Sequence, residues 1–215
     1  MKRTRSTLFP FLGIVVAVIA VWVTMGGRND NQKKEPEMTS SAPKIDTSQV
    51  DMTGLDPENT LFMDVSTGGR VVIEMFPDKA PHHVARFREL TRQGFYDGVV
   101  FHRVIDGFMA QTGDPTGTGS GGSGQNIAAE FNDIHHERGI VSTARAASPD
   151  SADSQFFVML AASPHLDGKY TVWGRVVSGM DYIDAIRKGP SSQNGVVEEP
   201  RDYIVHMQVA ADAGD

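Results

Sequence analysis

"FHRVIDGFMAQTGD", residues Phe101 to Asp114, sets a guanidinium and a primary amide inside a greasy run. Phe101, Val104, Ile105, Phe108 and Met109 read as core, yet Arg103 stands among them and Gln111 follows closely. A cation beside apolar neighbours is costly unless it has partners or a task. The stretch also breaks in the middle: "GVVFHRVI" and "GFMAQTG" read as two short strands hinged at Asp106-Gly107. A hairpin of this kind predicts antiparallel β-structure.

Working outward, the same style of element recurs. "LFMDVSTGGRVVIEMF" places two apolar-rich runs around Thr67-Gly68-Gly69, a hairpin signal. In "PDKAPHHVARFRELTRQG", Val84, Phe87 and Leu90 share one helical face and Gly94 marks the stop. "RGIVSTA", "SQFFVMLA", "YTVWGRVV" and "DYIVHMQVA" add short strands. "GMDYIDAIRKGP" gives a second helix, with Met180, Ile183 and Ile186 inward and Gly189-Pro190 as its end. Many short strands with two helices predict a mainly β domain, a closed antiparallel barrel capped by helices. There is no internal repeat.

The chain of 215 residues carries a net charge of −7, is 40% hydrophobic and contains no cysteine. An acidic balance argues against nucleic acid as a partner. Without cysteine there is no disulfide and no thiolate nucleophile. Before the domain, Lys2, Arg3 and Arg5 precede an uncharged stretch from Ser6 to Gly27. As a helix those roughly 22 residues would extend about 33 Å, enough to cross a bilayer core. The run is long for a cleaved signal and lacks a small-x-small cleavage site, so residues 1–27 are expected to be an uncleaved signal anchor. Residues 28–59 are polar and punctuated by proline, which reads as a flexible linker with a reach of roughly 30 Å. Residues 60–212 form the folded domain. An N-terminal anchor of this kind usually keeps its short basic end inside, which puts the domain outside the cytoplasm.

Other motifs weigh little. Gly117 to Gly122 satisfies G-x-G-x-x-G by letter, but it follows Asp114-Pro115 and opens no amphipathic helix, so a flexible surface loop is expected. His82-His83 and His135-His136 have no metal-ligand spacing, because adjacent helical residues point about 100° apart. A solvated position is expected for both pairs, with no metal and no cofactor. G-x-S-x-G is absent. What remains is the cation and amide of the first stretch, together with Gln155, a second amide set directly before Phe156-Phe157. Two such intrusions argue for a pocket rather than a rim.

"FHRVIDGFMAQTGDPTGTGSGG", "SQFFV" and "LDGKYTVWGRVVSGM" resemble, in order and spacing, the signature segments of the cyclophilin family of peptidyl-prolyl isomerases. The likeness covers roughly Thr60 to Ala210, nearly all of the folded part. It implies an eight-stranded antiparallel barrel with a helix at each end, and a groove on its outer face that binds X-Pro peptides. By position, the essential arginine of the family is Arg103. The proline pocket maps to Phe108, Met109, Phe157 and Leu166. Gln111 matches a glutamine that bonds the peptide backbone. Ala144 and Arg145 match an Ala-Asn pair whose backbone holds the residue before proline, and Gly119 and Gln155 match further groove positions. His165 stands where many eukaryotic members have a tryptophan important for cyclosporin, so weak cyclosporin binding is expected. Tyr170 replaces a pocket histidine. The resemblance implies rotamase activity on proline-containing polypeptides, with a proline-peptide-binding chaperone as the alternative, and a bacterial inner-membrane protein with a periplasmic domain.

Overall fold

The computed structural model describes Ile45 and residues 50–214. The expected anchor and most of the linker lie outside these residues. Among the described residues no helix is long and apolar enough to cross a membrane.

The first hairpin pairs β1 (Thr60–Val65) with β2 (Gly69–Met75), from Thr60 opposite Glu74 to Val65 opposite Gly69. Gly68 closes the turn at φ 105, a backbone state that glycine adopts without strain. The helix α1 follows at Pro81–Arg92, with proline in its first turn, where the missing N–H costs nothing. Val84, Phe87 and Leu90 are its buried face, as their spacing predicts. The second hairpin joins β3 (Arg103–Ile105) to β4 (Met109–Thr112). β5 (Ile140–Thr143), β6 (Phe156–Met159), β7 (Val172–Ser178), α2 (Met180–Asp184) and β8 (Ile204–Val209) complete the chain. α2 is shorter than its apolar spacing suggests. Ile183 and Ile186 are both buried, but the helix ends at Asp184, and beyond it the N–H of Arg187 turns to Asp202.

The strands form one antiparallel sheet in the order β3-β4-β6-β5-β7-β2-β1-β8. The expected closed barrel is met as an open, curled sheet. β3 and β8 are its edges, and the segments at them are linked without a continuous ladder, by the isolated bridges Val100 to Tyr203 and Arg103 to Val196 and by backbone hydrogen bonds such as Phe101 N–H to the Asp202 carbonyl at 2.9 Å. Residues 56–59, expected within the linker, turn into β1. Asp56 caps a single 3-10 turn there, and Glu58 pairs with Arg92 of α1.

Strand alternation sorts the apolar residues into two clusters. Ala110, Phe156 and Trp173 point into the main core, where Trp173 stacks on Phe87 at 4.2 Å and Phe156 meets both rings edge-on. Their chain neighbours Met109, Phe157 and Val172 point the other way, into a second cluster with Ile140, Met159 and Leu166. The second cluster is the floor of the site.

Candidate functional site

Register builds the site. Arg103 on β3 lies opposite Gln111 on β4, Gln111 opposite Phe157 on β6, and Phe157 opposite Ser142 on β5. Residues directly opposite across a sheet project to the same face, so one cross-strand row carries a cation, an amide and an aromatic ring. The hairpin read from the sequence therefore brings Arg103 and Gln111 together, and β6 adds Phe157.

The polar half is a hydrogen-bonded chain. The Nη1 of Arg103 donates to Gln111 Oε1 at 3.1 Å and approaches the Met109 sulfur at 3.8 Å. Gln111 Nε2 donates to Gln155 Oε1 at 2.9 Å. Gln155 Nε2 donates in turn to the carbonyls of Gly119 (3.1 Å) and Gly121 (2.8 Å). Both amide orientations follow from this chain, since a guanidinium only donates and Gln111 must face it with oxygen. On its other edge Arg103 donates from Nε to the carbonyl of Asn194 (3.0 Å) and from Nη2 to Asn194 Oδ1 (2.9 Å). Burial draws the guanidinium below its ordinary pKa, but arginine stays protonated. All its hydrogen-bond acceptors are neutral, so the charge is held without being cancelled.

The apolar half is the second cluster, with Phe108, Ala144 and Tyr170 packed against it. Tyr170 meets Phe157 edge-on at 5.8 Å, and the exposed His165 stacks on Phe108 at 5.8 Å. Arg145 lies with its guanidinium 4.7 Å over the Tyr170 ring and donates to the carbonyls of Lys169, Ala146 and Ala147. Its side chain thus ties its own loop to the Lys169-Tyr170 segment. Beside the polar chain, along the glycine loop, opens a cavity of about 600 Å³ lined by Gln111, Gly119, Gly121, Ala144, Arg145 and Gln155. Gln111 belongs to both the cavity and the Arg103 row.

The glycine loop lies on the surface, as its composition leads one to expect, but it is tethered rather than loose. The buried Asp114 carboxylate accepts the backbone N–H groups of Thr116, Thr118, Gly119 and Gly121. Burial alone would raise its pKa, but these hydrogen bonds hold it well below the usual carboxylate range. The histidine pairs also differ from expectation. His82 and His135 are exposed, but the side chains of His83 and His136 are 0% accessible. Glu130 accepts the Nδ1 and backbone N–H groups of both His82 and His83, which caps the start of α1. Asp167 accepts the Nδ1 groups of both His135 and His136 and the backbone N–H of His136, and His136 Nε2 bonds Ser142 Oγ at 2.9 Å. In the resulting Ser142-His136-Asp167 series, Ser142 and His136 are buried behind Phe157, out of reach of any substrate, and only Asp167 reaches the surface. Among the described residues no group of histidines and carboxylates is arranged to hold a metal ion. Asn194 is the site residue that sequence reasoning missed.

Known proteins agree with this geometry. Residues 62–209 match the family model described as cyclophilin type peptidyl-prolyl cis-trans isomerase/CLD. A probable peptidyl-prolyl cis-trans isomerase of Brucella suis is 47% identical over 169 residues, covering 73% of this chain and 85% of that protein. A crystal structure of a cyclophilin from Hirschia baltica superposes with a TM-score of 0.66 at 29% identity, covering 74% of this chain and 77% of the other. A cyclophilin-type isomerase of Cryptosporidium parvum, solved in the presence of the dipeptide Ala-Pro, gives a TM-score of 0.64 at 29% identity over 70% of this chain and 98% of the other.

Proposed function

The chain belongs to the cyclophilin-type peptidyl-prolyl cis-trans isomerases, and from that premise we propose that Arg103 supplies the electrostatic part of the isomerase reaction. Rotation about an amide costs about 18–20 kcal/mol because the nitrogen lone pair is delocalised into the carbonyl. Before proline the two isomers are nearly isoenergetic, yet they exchange over tens to hundreds of seconds. In the twisted state the lone pair localises on nitrogen, so a cation fixed beside that bond binds the twisted form more strongly than either planar form. Each 1.36 kcal/mol of such preference gives about tenfold in rate. No nucleophile is called for.

Phe108, Met109, Phe157 and Leu166 grip the proline ring by burial and fix one side of the bond. Gln111, with the backbone of Ala144 and Arg145, orients the other side, and Gln155 and Gly119 support them. The observation that carries this reading is the cross-strand row: Arg103 opposite Gln111, and Gln111 opposite Phe157. The Ala-Pro dipeptide present with the Cryptosporidium protein supports proline-containing peptides as the substrate class. The bridges Val100 to Tyr203 and Arg103 to Val196 support reading this edge as the place where the two ends of the curled sheet approach each other. His165 in place of tryptophan leaves cyclosporin binding weak, which nanomolar inhibition in a peptide assay would contradict.

The decisive experiment is Arg103→Ala in the full chain, assayed on a proline-containing peptide. The expected result is a loss of about 100-fold in kcat/KM with an unchanged melting temperature. A wild-type rate would overturn the assignment. For the residues before the domain we propose a single-pass membrane anchor (1–27) and a tether (28–59), with the domain (60–212) on the periplasmic side of a bacterial inner membrane, where it assists folding. The chain should stay in the membrane pellet after alkaline extraction and be digested by protease added to spheroplasts. Recovery in the soluble fraction would refute the anchor.

A further inference from the structure

Asn194 is the only non-glycine residue with positive φ among the described residues, at φ 53 and ψ 30. That left-handed state costs stability in any residue with a side chain, though less in asparagine, and such strain persists only where surrounding structure enforces it. Here the enforcement is visible. The carbonyl of Gly195 accepts the Val104 N–H at 2.8 Å, Gly189 N–H donates to Val104 O at 2.9 Å, and Val197 N–H donates to His102 O at 3.1 Å. The loop is thereby stitched to the backbone on both sides of Arg103. Gly195 permits this close approach, since a Cβ there would collide with Ile105 and the carbonyl of Val104.

The strained residue turns two neutral oxygens toward one edge of the guanidinium, its carbonyl to Nε and its Oδ1 to Nη2. This is the fork geometry that carboxylates usually provide. Elsewhere carboxylates do provide it or pair singly: Arg70 meets Asp64, Arg92 meets Asp212, Arg138 meets Asp184 and Arg175 meets Glu74. At Arg103 the fork is made without a countercharge.

We infer that Asn194 is a positioning residue for the isomerase reaction: it locks Arg103 into its working orientation through a neutral fork, leaving the full positive charge for the twisting peptide. The inference rests on the proposed role of Arg103, so the test separates the two. Asn194→Gly keeps the left-handed backbone and its carbonyl but removes Oδ1. Asn194→Asp keeps the shape and adds a countercharge. Both variants, with Arg103→Ala and the double variant Arg103→Ala/Asn194→Gly, are assayed as full chains on a proline-containing peptide alongside thermal melts. Asn194→Gly is expected to lose about tenfold in kcat with KM and melting temperature near wild type. Asn194→Asp is expected to melt no lower than wild type and still lose about tenfold or more in kcat, because a better-held guanidinium is now neutralised. A merely structural role would not separate stability from turnover in this way. The double variant should be no slower than Arg103→Ala alone. If Arg103→Ala is inactive while both Asn194 variants turn over at the wild-type rate, or if the losses add in the double variant, the inference fails and the role of Arg103 stands. If Arg103→Ala itself turns over normally, the role of Arg103 falls and the inference goes with it.

Discussion

A guanidinium and an ammonium carry the same charge, but only the guanidinium can be gripped on two edges at once. Arg103 is held by Gln111 on one edge and by Asn194 on the other. Lysine at this position would keep the charge and lose the grip, because its donors radiate from one flexible point. Arg103→Lys is therefore expected to lose about tenfold or more in kcat while melting close to wild type. Steady-state kinetics beside a thermal melt checks this, and full activity would mean that charge alone suffices. Arg103, Gln111 and Gln155 were legible in the sequence because each interrupts an apolar run. Asn194 was not. It lies 91 residues from its partner in "GPSSQNG", where an asparagine before glycine reads as an ordinary turn. The contact that matters is non-local, and a chain read in order gives no sign of it.

At the scale of elements, the strands and both hairpins could be read from alternation and turn residues, and α1 from its apolar spacing. The glycine loop could not. Its composition says only that the backbone is free to bend, and the partner that bends it is the buried carboxylate of Asp114. Through that carboxylate the loop presents the Gly119 and Gly121 carbonyls to Gln155, and so reaches the far end of the Arg103 chain. Asp114→Ala would leave several backbone N–H groups without their acceptor. The expected cost is about 2–3 kcal/mol of stability, with faster amide exchange at Gly119 and Gly121 and a reduced kcat/KM. Hydrogen exchange read by NMR, beside the peptide assay, tests the coupling. Unchanged exchange at both glycines would show that the loop holds itself.

At the scale of the whole molecule, alternation along β4, β6 and β7 divides one sheet between a sealed core and a working surface, and buried histidines stand behind both. The histidine pairs looked like surface residues because adjacent histidines carry no periodic signal. What buries one of each pair is a distant carboxylate, Glu130 for His83 and Asp167 for His136. This gives the molecule a definite response to acid. Burial lowers the pKa of His83, His102 and His136 below the ordinary 6.5, so each stays neutral in the fold. The unfolded chain protonates them near 6.5 and therefore binds more protons as pH falls through that value, so stability falls too. Each such histidine contributes a slope of at most about 1.4 kcal/mol per pH unit, in the window between 6.5 and its depressed folded value. His135 has the opposite sign, since its bond to Asp167 raises its pKa, but it is fully exposed and solvent screens the pair. Glu130 acts lower down. Burial alone would raise its pKa, yet hydrogen bonds from His83 and His82 hold it at about 2, so its stabilisation is present above 4.5 and disappears as pH falls toward 2. The denaturation midpoint should therefore decline from pH 7.5 to 5 and drop more steeply below 4.5. His136→Gln removes one of the acid-sensitive groups and should flatten the first decline while leaving the second. Because the His136 ring stacks at 6.3 Å behind Phe157, wild-type KM for the peptide should also rise toward pH 5. A midpoint whose slope between pH 7.5 and 5 is the same in His136→Gln as in wild type would show that the His136 ring is not the group taking up the proton.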